Sequence, residues 1–249
     1  MARVYIHELV DVIGTERARY QHHMTANWCP EAGPLRRQRC FGVFSVVGST
    51  GRWPQVVNLW EYDSWDDLGH NFSVELVGAD HRDPMLAEWW ATAAQFRTGG
   101  LDRILVAGEG SPGIEHWCAQ GGSGAVAYVH ETLRTRPGGA PELCERLAAT
   151  AAGGANVGDT AADLQPIARF RTALRADDEV IVLWAVPDWA TWARVESQRD
   201  QAAREGGADD DPATALVARE RLLLVDAELS PLRIGRQPAI SDRRPLEDC

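Results

Sequence analysis

The sequence repeats itself, and this repeat constrains the fold more than any other feature. Three segments of the first half return in the same order in the second half, at nearly constant offsets of 123, 124 and 118 residues. The pairs are YIHE at 5–8 with YVHE at 128–131, VVNLWEYDSW at 56–65 with VIVLWAVPDW at 180–189, and RILV at 103–106 with RLLL at 221–224. Because chance rarely produces three ordered matches, we predict a duplicated structural unit.

The repeat also predicts how the chain is divided. Residues 109–122 are rich in Gly, Ser and Pro, which is typical of a linker. The last residues are polar, and we expect them to fray. The predicted organisation is a first unit at 1–108, a linker at 109–122, a second unit at 123–236 and a polar tail at 237–249.

Each half is predicted to contain the order β-α-β-β-α-β. Pro30 and Gly33 are expected to end the first helix, and the Gly99-Gly100 pair is expected to stop the helix before the fourth strand. The predicted strands are 3–10, 35–48, 56–62, 101–106, 124–133, 164–175, 179–186 and 221–229. The predicted helices are 14–27, one capped by Asp63 or Ser64, 84–97, 140–152 and 188–203.

This element order indicates a ferredoxin-like unit, whose four-stranded antiparallel sheet has helices on one face only. The bare face must be covered, and two units in one chain can cover each other. The predicted fold is therefore α+β, with two tandem ferredoxin-like units forming an intramolecular α/β barrel. The alternative is two independent domains.

Composition excludes several kinds of partner. The chain has 36 acidic and 25 basic residues, and its net charge of -11 repels nucleic acid and anionic membranes. No apolar stretch approaches the roughly 20 residues of a membrane helix, and no signal peptide is evident. Five cysteines without a C-x-x-C pair indicate a reducing compartment, and ten tryptophans suggest large apolar contacts or an aromatic-lined cavity. We expect a soluble cytoplasmic monomer or homodimer with a small-molecule partner, and no nucleic-acid or membrane partner.

Two segments of the first half resemble the NIPSNAP family of the dimeric α/β-barrel superfamily. They are CFGVF at 40–44 followed by VVNLWEYDS at 56–64, and the Trp89-Trp90 helix followed by GGLD at 99–102. The resemblance implies the barrel fold more than it implies a chemistry. It covers the first half well and the second half more faintly.

Polar and aromatic side chains gather on two strands of the first half. Strand alternation places Tyr5 and His7 on one face of the first strand, and Asn58, Trp60 and Tyr62 on one face of the third strand. If all five point into the barrel, they form a polar and aromatic cluster. A mostly apolar pocket with a few placed polar groups is the usual character of a ligand site. Glu8 is assigned to the opposite face from His7.

The chemistry predicted for this cluster is acid–base catalysis. His7, Tyr5 and Tyr62 are the predicted catalytic residues, because histidine transfers protons near neutral pH and tyrosine can donate to an oxyanion. Asn58 and Trp60 are predicted to bind substrate. The alternative for His7 is a core residue that is hydrogen-bonded to its neighbours.

The second half keeps only part of this pattern. His130 and Trp184 repeat it and are predicted to contact substrate. Val182 and Val186 stand where the first half has an asparagine and a tyrosine. We therefore place the site in the first half.

Two further histidine positions are candidates for the site. In the His22-His23 pair, adjacent helical side chains point in different directions and cannot readily share a metal. His23 can share a face with Tyr20 and Asn27 and is predicted to contact substrate; the alternative is a partly exposed polar face. His81 is placed in a loop near the barrel mouth.

No sequence motif points to a bound cofactor. Metal-ligand spacings, phosphate-binding loops and nucleophile elbows are all absent from the sequence. No metal and no cofactor is therefore predicted, although a haem held by one histidine leaves no motif and stays open.

The predicted function is a small-molecule enzyme, with a binding protein as the alternative. The resemblance and the predicted pocket suggest an isomerase, lyase, cyclase or cofactor-free monooxygenase, acting on a hydrophobic or aromatic substrate of bacterial secondary metabolism. The alternative is a non-catalytic protein that binds a hydrophobic ligand or haem.

Overall fold

The computed structural model describes residues 2–77, 83–151, 163–204 and 216–249. Eight antiparallel strands form one closed barrel in the order β1-β3-β2-β8-β5-β7-β6-β4, which confirms the predicted fold class. The strands are β1 Val4–Val12, β2 Arg39–Val46, β3 Gln55–Tyr62, β4 Arg97–Ala107, β5 Ala127–Arg134, β6 Gln165–Thr172, β7 Glu179–Val186 and β8 Ala218–Asp226.

Helices connect the strands in the predicted places. The α-helices are α1 Arg17–His22, α2 Cys29–Arg36, α3 Trp65–Glu75, α4 Pro84–Ala93, α5 Ile114–Ala119, α6 Ala140–Ala151, α7 Trp189–Arg204 and α8 Pro231–Ile234. A π-helix at His23–Trp28 joins α1 to α2, and short 3-10 turns lie at Ile240–Asp242 and Leu246–Asp248. Among the described helices, none has both the length and the apolar character needed to span a bilayer.

Several local expectations need correction. The first helical region continues through Pro30 and Gly33 to Arg36, because a proline is tolerated in the first turn of a new helix. The Gly99-Gly100 pair lies inside β4, where Gly100 packs against the backbone of Leu9 so closely that a Cβ atom would not fit. The cap at Ser64 is confirmed, since its side chain accepts from the backbone N–H of Asp67.

Two compact units can be recognised, and each draws on both halves of the sequence. Unit 1 comprises Met1–Ile104, Gly113–Ser123 and Val225–Cys249, and unit 2 comprises Leu105–Pro112 and Gly124–Leu224. In unit 2, Leu105 of β4 pairs with Thr172 of β6. In unit 1, the Ala227 N–H that follows β8 donates to the Val43 carbonyl at 2.8 Å. The end of β4 thus belongs to unit 2, and the end of β8 belongs to unit 1. For this reason the boundaries of the compact units differ from those of the predicted halves, 1–108 and 123–236.

The two units repeat the same strand pairing. In unit 1, β3 lies between β1 and β2, and Ile6 pairs with Trp60. In unit 2, β7 lies between β5 and β6, and Val129 pairs with Trp184. The register also shifts at corresponding points, between Cys40 and Gly42 in β2 and between Pro166 and Ala168 in β6. The duplication read from the sequence thus extends to the details of the sheets.

The segments expected to be a linker and a frayed tail are both structured. Residues of the predicted linker form α5, whose first N–H, from Ile114, donates to the Glu61 carboxylate at 3.0 Å. In the tail, Gln237 bonds both the N–H and the carbonyl of Cys40, at 3.0 and 2.8 Å. A segment with such bonds to the sheet does not fray, so its polar composition reflects hydrogen bonding to unit 1.

The main apolar core of unit 1 lies between one face of the sheet and the helices. Alternate residues of β1 and β3 meet side chains from α1, the π-helix and α4 on this side, which we call the helix-covered face. The core includes Val4, Val10, Val12, Tyr20, Met24, Trp28, Val56, Trp60, Tyr62, Leu68, Leu86 and Phe96.

Candidate active site

The register of β1 against β3 separates the predicted cluster into two groups. Residues paired directly across an antiparallel sheet share a face. Glu8 pairs with Asn58 and His7 pairs with Leu59, so Asn58 faces the helices together with Glu8, whereas His7 points to the other face. The expectation that five predicted residues line one surface is therefore wrong. Tyr5 and His7 lie on one side of the sheet, and Asn58, Trp60 and Tyr62 lie on the other.

Glu8, which is not among the predicted site residues, lies at the centre of the helix-covered face. Oε2 of Glu8 accepts from the side-chain amide of Asn58 and from the indole N–H of Trp60, both at 2.8 Å. The same Asn58 amide also donates to the Tyr20 hydroxyl at 3.1 Å. Oε1 of Glu8 accepts no hydrogen bond from the residues that the structure describes. One oxygen of the carboxyl group is thus fixed by two donors, while the other has hydrogen-bonding capacity left.

The surroundings of Glu8 favour its protonated form. Burial raises the pKa of Glu8, and the negative charge of Asp102 raises it further, while the bonds from Trp60 and Asn58 and the charge of Arg97 act in the opposite direction. Glu8 is densely surrounded, yet part of its surface remains accessible, and Asp102 is exposed. A raised pKa on an accessible carboxyl group is a common property of catalytic acids and bases.

Asn58 carries an acceptor with no partner. The residue is fully buried, and its Oδ1 atom has no hydrogen bond among the described residues. Leaving such an atom unpaired costs about 1–3 kcal/mol. A ligand that donates an O–H or N–H to Oδ1 would recover this energy, next to the carboxyl group of Glu8.

An aromatic wall lies on the same face of unit 1. The His23 ring stacks on Trp89 with a centroid distance of 4.8 Å, and Trp28 and Trp90 contact Trp89 at 5.0 and 5.6 Å. The guanidinium group of Arg97 lies 4.3 Å from the ring centre of Trp90. Because Trp89 and Trp90 are only partly buried, this wall can offer apolar area to a ligand.

His23 belongs to the wall but is not placed as an acid or base. Its Nε2 lies 3.1 Å from the Trp89 carbonyl, and its Nδ1 lies 3.1 Å from the Asn27 amide nitrogen. These partners assign a neutral ring with the proton on Nε2. Burial lowers the pKa of His23, in agreement with a neutral ring. His22 and His23 are both buried, which corrects the alternative of a partly exposed face.

The π-helix contains both His23 and Asn27, whose side chains meet because residues four apart are neighbours on a helical surface. They are four residues apart within the wide turn at His23–Trp28, where Asn27 bonds the imidazole directly. Wide turns of this kind occur frequently at functional sites. No pattern in the sequence distinguishes a π-helix from an α-helix, so this feature was missed.

Tyr62 is held as a structural residue. Its hydroxyl accepts from the Gln38 amide at 2.7 Å, and the carbonyl of the same amide accepts from the Trp28 indole at 3.0 Å. Tyr62 is fully buried, and burial raises its pKa. These contacts connect β3 to the end of the π-helix, through the segment between α2 and β2, rather than presenting the hydroxyl to a substrate.

Tyr5 belongs to a separate buried network on the other face. Its hydroxyl donates to Oε2 of Glu61 at 2.7 Å, and Arg39 Nε donates to Oε1 at 3.2 Å. Burial and the charge of Glu61 raise the pKa of Tyr5. His7 is fully buried on this face as well. The network fixes β1, β2 and α5 to one another.

Unit 2 keeps the glutamate–tryptophan pair but changes its surroundings. The Trp184 indole donates to Oε2 of Glu131 at 3.0 Å, as Trp60 does to Glu8. Val182 replaces the asparagine opposite this glutamate. Three guanidinium groups lie 3.5–3.6 Å from Oε1 of Glu131. His130 points to the opposite face from Trp184, because it pairs with Leu183.

The described residues contain no group of three or more His, Cys, Asp or Glu side chains able to hold a metal ion. On the helix-covered face of unit 1, His23 is not available as an axial haem ligand. Both nitrogens of His23 have partners, and Nε2 of His22 accepts from the Arg244 backbone N–H at 3.2 Å. The predicted loop residue His81 lies outside the described residues.

Comparison with known proteins establishes the fold. No family model matches the sequence, and no curated protein matches it. A candidate monooxygenase from Fusobacterium nucleatum is similar in structure over 91% of this chain and 93% of its own, with a TM-score of 0.52 and 8% identity. A candidate monooxygenase from Lactobacillus acidophilus is similar over 96% and 97%, with a TM-score of 0.54 and 6% identity.

A third structure is similar to part of the chain only. An uncharacterized NIPSNAP-like domain protein from Burkholderia xenovorans matches 44% of this chain and 89% of its own, with a TM-score of 0.34 and 20% identity. The closed eight-stranded antiparallel barrel is the fold that this chain shares with the two whole-length structures.

Proposed function

We propose that the protein is an enzyme that transfers a proton on a small aromatic substrate bound at the helix-covered face of unit 1. Glu8 is the acid–base group in this proposal, and Asn58 orients the substrate. The observation that carries the proposal is the state of Glu8. Its pKa is raised by burial, one of its oxygens is fixed by two donors, and the other is without a hydrogen bond among the described residues.

The geometry gives each group a task. The Asn58 Oδ1 atom accepts a hydrogen bond from a substrate hydroxyl, and the ionised Glu8 carboxylate takes a proton from the neighbouring position. Trp89 and Trp90 provide the apolar surface for a flat ring. Removing the proton in a site shielded by the helices would contribute roughly a hundredfold or more to the rate.

Among reactions that begin with proton removal, we propose oxygenation without a cofactor. The two whole-length structural relatives are candidate monooxygenases, and this is the only support that they give. An electron-rich substrate anion can itself reduce O2, so that one oxygen atom enters the product as a carbonyl group and the other leaves as water. The NIPSNAP resemblance remains a prediction, and it does not specify the reaction.

The test uses purified protein and a panel of hydroxylated polycyclic aromatic compounds in air. Binding is followed by quenching of tryptophan fluorescence, turnover by O2 uptake and by the mass of the product. We expect Glu8→Gln to retain binding and to lose about a hundredfold or more in turnover. Tyr62→Phe is the matched control, because Tyr62 bonds only Gln38, and it should stay within a few-fold of wild type.

Two results would change the conclusion. Equal turnover by Glu8→Gln and wild type would remove Glu8 from the mechanism. Saturable binding of the panel without turnover of any compound, aerobically or as isomerisation, would instead favour a carrier of aromatic ligands.

A further inference from the structure

Unit 2 contains three arginines that are gathered around one buried glutamate. Arg199 on α7 and Arg219 and Arg221 on β8 surround Glu131, and we call them the arginine cluster. Their nitrogens lie 3.6, 3.5 and 3.5 Å from Oε1 of Glu131. Hydrogen-bonded pairs of this kind are normally about 2.7–2.9 Å apart. The single carboxylate is therefore shared by three guanidinium groups and closes a tight bond with none of them.

Several N–H groups of the arginine cluster are left over. Nε of Arg199 and both Nε and Nη2 of Arg221 are buried and have no hydrogen-bond partner among the described residues. Nη1 of Arg221 is held by both carboxylate oxygens of Glu196, at 2.7 and 2.6 Å. Arg221 is thus fixed in position. Its Nε approaches Oε1 of Glu131 only to 3.5 Å, and its Nη2 has no hydrogen-bond partner among the described residues.

The electrostatics of Arg199 point in the same direction. Burial lowers the pKa of Arg199, and repulsion by Arg221 and Arg219 lowers it further, against the attraction of Glu131 and Glu196. Its side chain is nevertheless 16% exposed, and that of Arg221 is 18% exposed. A solute can therefore reach the edge of the arginine cluster, although the protein as a whole is strongly acidic.

We propose that the arginine cluster binds one oxyanion group, a carboxylate or a phosphate, through Arg199 and Arg221. Guanidinium groups present paired N–H donors that match these two anions. An oxyanion would fill the unpaired donors and relieve the repulsion between the arginines. This site lies in unit 2 and does not depend on the function proposed for Glu8.

The experiment titrates the intact protein with sodium phosphate and, separately, with sodium acetate. Chloride keeps the ionic strength constant, so that general screening does not change. Calorimetry measures the affinity, and thermal unfolding measures the shift in Tm. We expect saturable binding of one anion per chain, and Arg199→Gln should weaken it about tenfold or more, as loss of a charged hydrogen bond does. Arg194→Gln is the matched control on α7, because Arg194 pairs with the exposed Asp163 at 3.1 Å.

Comparing phosphate with acetate shows which kind of oxyanion the arginine cluster binds. Binding of both supports a general oxyanion site, and binding of phosphate alone supports a phosphate-bearing ligand. Failure of both to saturate, or equal affinities in Arg199→Gln and Arg194→Gln, would overturn the proposal. If Arg199→Gln unfolds, Arg199→Lys takes its place. That variant keeps the charge and loses the paired donors, so unchanged phosphate affinity in it would likewise count against the site.

Discussion

The two units carry the same glutamate–tryptophan pair in opposite electrostatic settings. Glu8 receives bonds from Trp60 and Asn58, has Asp102 nearby, and has a raised pKa. Glu131 receives the same indole bond from Trp184, but three arginines surround its other oxygen. Duplication preserved the scaffold, and the residues around it determine whether the carboxyl group can exchange a proton or serves as a fixed counter-ion.

This difference assigns different roles to equivalent positions. A carboxyl group whose charged form is disfavoured suits acid–base chemistry. A buried carboxylate among guanidinium groups serves as a counter-ion that holds the elements around it together. The strand register that places both glutamates beneath helices is common to the two units, so the register alone does not create a site.

The largest expected effect is on the free energy of unfolding, when each of the two equivalent glutamates is replaced by glutamine. Glu131→Gln should lower the free energy of unfolding by about 3 kcal/mol, because it leaves partly buried arginines without their counter-ion. Glu8→Gln should change it by less than about 1 kcal/mol, because an amide oxygen can still accept from Asn58 and Trp60. Urea unfolding of both variants measures this. Equal losses would show that the two glutamates are in equivalent settings.

The fold followed from the sequence because a repeat with constant spacing leaves few topologies. Matching segments at 5–8 and 128–131 and at 56–65 and 180–189 fixed the order of strands, and the pairings agree. The site did not follow to the same extent. Alternation shows that Asn58 and Trp60 share a face, but whether His7 joins them depends on the register, where a shift of one residue reverses the face.

The sequence contains a signal for Glu8. The glutamate recurs in both copies of the tetrapeptide, as the histidine does, and it lies an even number of residues from Ile6 and Val10, which are apolar. Choosing the glutamate over the histidine required knowing that Asn58 lies directly opposite it. The contact between Tyr20 and Asn58 depends on where α1 crosses the sheet, and side-chain periodicity does not contain that information.

The second prediction concerns how stability depends on pH. Because the pKa of Glu8 is above its ordinary value of 4.5 in the folded protein, the native state holds this proton to higher pH than the unfolded chain does. Stability from this group is present below pH 4.5 and is lost as the pH rises through the folded pKa, by at most about 1.4 kcal/mol per pH unit. The difference in unfolding free energy between wild type and Glu8→Gln, measured from pH 4 upward, should therefore fall with pH. A difference that does not vary with pH would place Glu8 in an ordinary environment.

The third prediction makes unit 1 resemble unit 2 at one position. Asn58→Val copies the residue found at 182 and removes a donor to Glu8. Since the Asn58 bond lowers the pKa of Glu8, its loss should raise that pKa further, with a stability change of about 1 kcal/mol. Carbon-13 NMR of the glutamate carboxyl groups measures the titration. Val182→Thr serves as the control, and it should leave the titration of Glu8 unchanged. A lower pKa in Asn58→Val would contradict the assigned contact.

The smallest expected effect concerns the first helical region, which in unit 1 is fixed by the C-terminal segment. Arg243 donates to the carbonyls of Ala26 and Asn27 at 3.2 and 3.3 Å and pairs with Glu31 at 2.6 Å. The Arg243→Ala variant should lose no more than about 1 kcal/mol, because the guanidinium group is about one-third exposed and its bonds are partly replaced by water.

The local consequence of Arg243→Ala should be clearer than the global one. Amide hydrogen exchange should accelerate across the π-helix, where Asn27 bonds His23, because the carbonyls released there no longer hold the turn. Arg19→Ala is the matched control, since Arg19 lies on α1 and pairs only with Glu16, at 3.1 Å and near the surface. Equal exchange in the two variants would mean that the π-helix is held by its own packing against Trp89, and that the C-terminal segment only covers it.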